Sequence, residues 1–352
     1  MVDLNITLPV ELPAWCPQDA DGLMASLQAS AASQAQRERF KYLRPKQLGQ
    51  LGQLEYDQST QLPAISAGAF TLPADWAQIL ASAPDVACDL LRQPGQKLNV
   101  EEDGDLDISD VTGPLQILVA AGVSLNLIDG CDKQARRTLL IHLHQGANVT
   151  HHRSCLDPDT DQFTWLRTIV GTGADYTLNH YSLGSSLKRH DIQIQMAGSG
   201  AKAQLNSAAF VPANKHLDQH VLVEHIAPDA HSEQTVHNIV DHKGTSVFNG
   251  RIHIHEHCPN TAAHLSNRNL GIADIATIHT RPELEIYTDE VECSHGATVG
   301  QIDENELFYF ASRGIDSSLA TRLIAQGFLN TCIQGVFAEQ AETTFSNAFG
   351  QS

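Results

Sequence analysis

The residues most able to bind a metal ion lie in one short stretch, RIHIHEHC, at residues 251–258. It brings His253, His255, His257 and Cys258 close together in the chain. Imidazole nitrogen and thiolate sulfur are ligands for zinc, iron and copper. On a β-strand the three histidines would share one face and stand about 6–7 Å apart at each step. A neighbouring strand that supplied further ligands could then complete a metal site.

The same stretch has a second interpretation, a solvated polar face with Ile252 and Ile254 on the buried side of the strand. Ligands in a row along one strand rarely converge on a single ion. Cys258 would also face away from the last histidine of the row. On the residues alone we therefore predict that the three histidines form a polar ladder and no defined metal centre.

A second candidate pair lies in ECSHGATVG, residues 292–300. If this stretch is a strand, Cys293 and His295 share one face and offer a thiolate and an imidazole about 6–7 Å apart. Such a pair suits iron or zinc. A buried thiol beside a hydrogen-bonded histidine is the alternative, and the spacing leaves both interpretations open.

The composition excludes several classes of function. The chain has 352 residues, of which 42% are apolar and 18% charged, and its formal net charge is −19. An acidic chain of this kind is not expected to bind nucleic acid or anionic membranes. Without a run of 18 apolar residues or the features of a signal peptide, the sequence predicts a cytoplasmic protein that does not span a membrane. The seven cysteines contain no CxxC pair, which favours reduced thiols over a disulfide framework.

Sequence motifs of the common enzymes are also missing. The dipeptide Gly-Lys does not occur, so the chain has no P-loop for ATP. The dinucleotide-binding GxGxxG, the zinc-protease HExxH and the nucleophile-elbow GxSxG are likewise absent. The sequence therefore offers no standard enzyme motif.

The pattern of residues divides the chain into three regions: 1–100, 101–302 and 303–352. The first begins with a stretch rich in helix-forming residues and continues into a proline-rich loop. The second alternates short β-branched and apolar runs with polar residues, which predicts many strands. Sandwich, barrel and β-helix all fit this pattern, but about 190 residues without crossover helices favour a parallel β-helix. The third predicts two helices, with Asp303 as an N-cap and Gly314 and Gly327 as terminators.

One longer segment, residues 281–315, carries a specific resemblance. Its motifs are PxLEI at 282–286, VxCSHGATVG at 291–300, LFY at 307–309 and SRGI at 312–315. It resembles the SufB/SufD family of iron–sulfur cluster assembly scaffolds, and within it the SufD branch. The likeness covers roughly residues 170–330.

The resemblance implies a right-handed parallel β-helix flanked by helical N- and C-terminal regions. It also implies a non-enzymatic scaffold that pairs with a SufB-type subunit and binds a SufC-type ABC ATPase, with a homodimer as a further possibility for the isolated chain. Neither nucleic acid nor membrane is an expected partner. A histidine-rich metalloprotein or metalloenzyme built on a β-helix is the alternative function.

The family likeness also assigns roles to residues. No cofactor is expected to stay on the chain alone; iron or an iron–sulfur cluster would lie at the interface with the SufB-type partner, with His295 as a ligand and Cys293 beside it. The C-terminal helices would bind the ATPase through Leu307, Phe308, Tyr309, Arg313, Gly314, Leu319, Leu323, Ile324 and Phe328.

Overall fold

The computed structural model describes residues 67–69, 96–273 and 275–349. The predicted N-terminal helical stretch lies outside the described residues, so it stays a prediction. Within the described part the chain forms strands up to Gln301 and helices after it. The strands are β1 Ala67–Ala69, β2 Gln96–Val100, β3 Gly104–Asp107, β4 Leu115–Val119, β5 Ser124–Gly130, β6 Arg136–Leu143, β7 Asn148–Cys155, β8 Gln162–Val170, β9 Asp175–Leu183, β10 Lys188–Met196, β11 Lys202–Val211, β12 His216–His225, β13 His231–Val240, β14 Thr245–Ile254, β15 Thr261–Gly271, β16 Thr277–Ile286 and β17 Val291–Gln301.

The strands form two sheets, and each coil of the β-helix contributes one strand to each sheet. The even-numbered strands β2 to β16 form one sheet, with β1 added at its edge, and the odd-numbered strands β3 to β17 form the other. Each strand is parallel to the strand of the next coil, whereas β1 pairs antiparallel with β2. This arrangement is a parallel β-helix, so the predicted fold class is confirmed, and the sandwich and barrel alternatives are excluded.

The coils lengthen along the chain. Gln96 of β2 pairs with Leu115 of β4, 19 residues later. Near the other end, Thr245 of β14 pairs with Thr277 of β16, a step of 32 residues. The strands lengthen with the coils, from five and four residues in β2 and β3 to ten and eleven in β16 and β17. Because the step is not constant, the sequence has no fixed repeat.

The interior between the two sheets has an apolar side and a polar side. Side chains of Leu, Ile and Val from successive coils stack in one continuous buried cluster. On β7 the inward row begins with apolar Val149 and continues with polar side chains. On β10 the inward row begins with polar side chains and ends with apolar Ile192, Ile194 and Met196. Completely buried members of the polar side are Cys131, His151, Arg153, Cys155, His180, Lys188 and His190.

A buried carboxylate holds the polar side together. Asp129 lies 2.9 Å from Arg137, 3.4 Å from Arg153 and 3.6 Å from His151, and all four side chains are inaccessible to solvent. Burial by itself raises the pKa of Asp129, but the two guanidinium charges and the contact with His151 outweigh it and hold that pKa well below its usual range. Asp129 is therefore ionised at neutral pH and neutralises part of the buried positive charge.

Three helices follow the last strand: α1 Glu304–Ala311, α2 Ser317–Asn330 and α3 Ala338–Ala348. The predicted N-cap is confirmed, since the Asp303 carboxylate accepts a hydrogen bond from the backbone of Asn305. The predicted stop at Gly327 is wrong, because α2 continues to Asn330. That last turn buries Leu329 against the sheet, and this burial outweighs the low helix propensity of glycine.

Helices α2 and α3 pack on the outer face of the odd-numbered sheet. Their apolar side chains form a second buried cluster with residues of β9, β11, β13 and β15. The connection between the two helices is fixed as well, since Tyr181 and the backbone of Gln334 exchange hydrogen bonds. Gly335 there has φ +83, and an added Cβ would lie 2.2 Å from the ring of His152. The helices thus lie along the side of the β-helix and leave its C-terminal end open.

We predict that Asp129→Asn destabilises the protein by about 3–5 kcal/mol, because it leaves buried guanidinium charge without its counter-ion. Denaturant unfolding at pH 7 measures the loss. The exposed Asp105→Asn is the matched control and should change stability by less than about 0.5 kcal/mol.

The same pair of proteins makes a pH test. Because the folded-state pKa of Asp129 is depressed, its contribution is fully present above the unfolded-state pKa of about 3.9 and declines as the pH falls below it. The difference between the wild type and Asp129→Asn should therefore be constant from about pH 5 to 7 and shrink in more acidic buffer. A difference that grows on acidification would contradict the assignment.

Candidate metal and partner site at the C-terminal coil

The last coil of the β-helix, formed by β16 and β17, has no further coil stacked on it. Each of its strands is the edge strand of its sheet. Neither contains a fully buried residue, although both are among the longest strands of the described chain. An edge of ten or eleven residues leaves its outward backbone N–H and C=O groups without strand partners, and edges of this kind readily pair with another chain.

Cys293 and His295 lie on the inward face of this coil. β17 pairs with β15 in a register that sets Cys293 beside Ala263 and His295 beside Leu265. Ala263 and Leu265 are buried in the apolar interior, so the two candidate ligands continue the inward rows at the open end. The structure thus places them two residues apart on one strand face.

The two side chains differ in exposure. Cys293 is half-buried against the apolar interior, whereas His295 is exposed. Burial raises the pKa of the Cys293 thiol, so the thiol is protonated at neutral pH and must release a proton to bind a metal. Within the described part of the chain, no third histidine, cysteine or carboxylate completes a metal-sized group with them. The chain therefore supplies at most part of a ligand set at this end.

The residues predicted to bind the ATPase fall into two groups. Leu307, Ile324 and Phe328 are half-buried, and Phe328 stacks on His237 at a ring distance of 4.7 Å. The others are exposed on α1, on the turn after it and on α2: Phe308, Tyr309, Arg313, Gly314, Leu319 and Leu323.

The exposed group includes large apolar side chains that no other part of the described structure covers. Phe308 is 74% exposed and Tyr309 55%, and α1 as a whole buries no residue. Leu319 and Leu323 face outward while Ala325 and Leu329 of the same helix face the sheet. Arg313 lies over the ring of Tyr309, 4.7 Å from its centre, and Gly314 takes φ +80 in the turn between the helices.

The histidine row of the sequence differs from its predicted geometry. Ile252 and Ile254 are buried, as predicted, but β14 ends at Ile254. The rings of His253 and His255 stack with centres 4.0 Å apart, closer than a regular strand would hold them. His257 leaves the row because it adopts φ +64 in the following turn. The row of three is therefore a pair.

Other residues near that pair were not apparent from the sequence. Glu224 of β12 is the direct register partner of His253 and approaches both rings. It precedes His253 by one coil, and only knowledge of the local coil length could have related the two. Cys258, whose side chain is directed away from the pair, is completely buried in the apolar interior. Every cysteine in the described part of the chain is free.

No helix in the described ranges is long and apolar enough to cross a membrane.

Comparisons with known proteins give consistent results. The chain is 30% identical to the iron–sulfur cluster assembly protein SufD of Escherichia coli, in a match that covers 56% of this chain and 58% of that protein. It is also 30% identical to an iron–sulfur cluster assembly SufBD family protein of Synechocystis, over 68% of this chain and 52% of that protein. A third relative, the chloroplastic protein ABCI7 of Arabidopsis thaliana, is 32% identical over 46% of this chain and 34% of that protein. The chain thus spans between 34% and 58% of the length of these relatives.

The model of one protein family matches most of the β-helix. It is described as the SufBD core domain of the SUF system for FeS cluster assembly, and it covers residues 107–328, from the end of β3 into α2. This range includes both candidate ligands of the last coil and the exposed face of α1. The chain therefore belongs to the SufBD core family of the SUF iron–sulfur cluster assembly system.

Proposed function

We propose that this protein is a non-enzymatic scaffold subunit that builds iron–sulfur clusters together with a SufB-type subunit. Its family supports a role in cluster assembly. The pairing with a SufB-type subunit is supported mainly by the open C-terminal coil. Its two strands are long edge strands, and one of them, β17, carries Cys293 and His295. The partner would pair with these edges and bring its own ligands to the inward face of the coil.

The incomplete ligand set supports an interface site. A cluster or a tightly held iron needs about four protein ligands, commonly thiolates with occasional imidazoles. This coil offers one exposed imidazole and one half-buried thiol. A partner that supplied thiolates would complete the site and exclude water from it. His295 is the expected direct ligand, and Cys293 lies next to it.

The exposed face of α1 and α2 is the proposed binding surface for a SufC-type ABC ATPase. Phe308, Tyr309, Leu319 and Leu323 are exposed large side chains on two helices that contact each other, and exposed apolar surface of this kind marks sites of protein association. The absence of a P-loop from the whole sequence fits an ATPase that acts from a separate chain. The acidic net charge gives no support to nucleic acid or anionic membranes as partners, and the proposed location is the cytoplasm.

We predict that His295→Ala lowers cluster formation by the assembled complex at least about tenfold while the complex still forms, because one ligand of the shared site is lost. His242→Ala, a change of an exposed histidine in the turn after β13, is the matched control. Reconstitution with iron and sulfide, followed by visible absorption and by gel filtration of the complex, measures both properties.

Normal cluster yield with His295→Ala would remove this residue from the site. Cluster formation by the chain without any partner, undiminished in His295→Ala, would instead favour the alternative of a stand-alone metalloprotein.

We predict that Phe308→Ser combined with Leu323→Ser weakens ATPase binding at least tenfold, since both changes remove large apolar contacts from the proposed surface. Removing the whole helical region would expose the buried face of α2 and α3, so point changes on the exposed side are the cleaner test. Val336→Ser is the matched control, because Val336 is also apolar and 52% exposed but lies outside α1 and α2.

Affinity is measured by titrating the ATPase into each variant in a calorimeter, with thermal unfolding as a check of the fold. Unchanged affinity in the double variant would place the ATPase on another surface.

A further inference from the structure

A second group of metal-binding side chains lies away from the C-terminal coil, on the outer face of the even-numbered sheet. Glu224, His253 and His255 are the one group of three potential ligands in the described chain whose ligand atoms lie within 4.8 Å of one another. Glu224 Oε1 is 3.3 Å from His255 Nε2 and 3.8 Å from His253 Nδ1. The carboxylate thus lies within reach of both imidazoles.

These distances match the requirements of a metal ion. Zinc binds imidazole nitrogen and carboxylate oxygen at about 2.0–2.2 Å, so ligand atoms around a tetrahedral ion stand about 3.3 Å apart. The separation of Glu224 and His255 already has this value, and a small rotation of the His253 ring would bring its Nδ1 to the same distance.

The backbone holds the three residues in position. Glu224 and His253 are paired in register on the parallel strands β12 and β14. The backbone N–H of His255 donates to the carbonyl of His225, which extends this pairing beyond the end of β14. The ligands therefore come from two consecutive coils that are already hydrogen-bonded to each other, and binding would need little rearrangement.

The three side chains are partly accessible to solvent, and one carboxylate oxygen of Glu224 faces the two imidazole rings. The side chains of Glu224 and His253 are 18% and 19% exposed and that of His255 is 37% exposed. Gln195 donates a hydrogen bond to the other carboxylate oxygen of Glu224, which leaves Oε1 to face the rings. Tyr287 packs edge-on against His253 and covers one side of the group.

The charges around the group also suit a cation. Arg251 lies on the same strand as His253, and its guanidinium is bound by Glu285 of the next strand.

We infer that Glu224, His253 and His255 form a binding site for one divalent transition-metal ion, with the remaining coordination position open to water or a further ligand. Two imidazoles and one carboxylate are a donor set found with zinc and with ferrous iron. The ion would join two consecutive coils of the β-helix. The inference is separate from the proposed assembly role, because it needs neither a partner nor His295.

The chain provides a matched control on the same sheet. His142 of β6 and His144, which directly follows the end of that strand, also form a stacked pair of the type His-x-His, with ring centres 4.7 Å apart. That pair belongs to no group of three ligands among the described residues. It should therefore bind a metal ion much more weakly.

The test uses the full-length, metal-free protein without partners, titrated with Co²⁺ and followed by its visible ligand-field absorption, with Zn²⁺ as a competitor. We expect one Co²⁺ per chain with a tetrahedral or five-coordinate spectrum. Glu224→Gln should weaken binding at least about tenfold, and His253→Gln with His255→Gln should abolish the spectrum. His142→Gln with His144→Gln, and separately His295→Ala, should leave it unchanged. Zn²⁺ should raise the melting temperature of the wild type and of the control, but not that of the double variant.

The melting temperatures of the metal-free variants verify that each is folded. The inference is overturned if the wild type binds no Co²⁺ at 100 µM (on the order of the weakest useful site). It is also overturned if the spectrum persists in His253→Gln with His255→Gln, or if the control pair reduces binding equally.

Discussion

Hydrogen bonds between the strands of neighbouring coils hold the described β-helix together. A parallel β-helix satisfies backbone groups by stacking, so each coil stabilises its neighbour and is stabilised by it. At the last coil the stacking ends, and β16 and β17 keep an unpaired edge and no fully buried residue. Cys293 and His295 lie on this last coil, at the unpaired end of the β-helix. The scaffold role proposed for the chain and the incomplete ligand set have the same physical origin, since both need a second chain at that end.

The C-terminal helices do not cap an end of the solenoid. They cover the side of the odd-numbered sheet, where Tyr181, Phe210 and Ile239 would otherwise face water. This covering leaves their opposite faces, and all of α1, available to a partner. The interior is equally asymmetric, because its polar side relies on the Asp129 group of charges while its apolar side relies on stacked aliphatic side chains. Binding surfaces and structural charges are therefore separated in this fold.

The sequence predicts the class of fold well because the alternation of apolar residues is a local property of each strand. It predicts the strand that carries Cys293 and His295 for the same reason. The sequence does not predict which residues of two consecutive coils stand side by side. The step between paired strands grows from 19 to 32 residues, so nothing local indicates that Glu224 stands beside His253. The regular spacing predicted for three histidines fails at His257 because the strand ends and the chain turns through a left-handed conformation. Gly327 fails as a helix stop because packing against the sheet overrides local propensity.

The lengthening of the coils has a consequence for self-association. A solenoid with identical ends could add copies head to tail without limit and grow into a filament. Among the described residues, one end has strands of five and four residues, and β1 already pairs with β2, whereas the other end has strands of ten and eleven. A head-to-tail junction would leave more than half of the longer edges unpaired. Contact between two wide ends matches the edges in length and closes after two chains. The taper therefore favours a finite pair over a polymer.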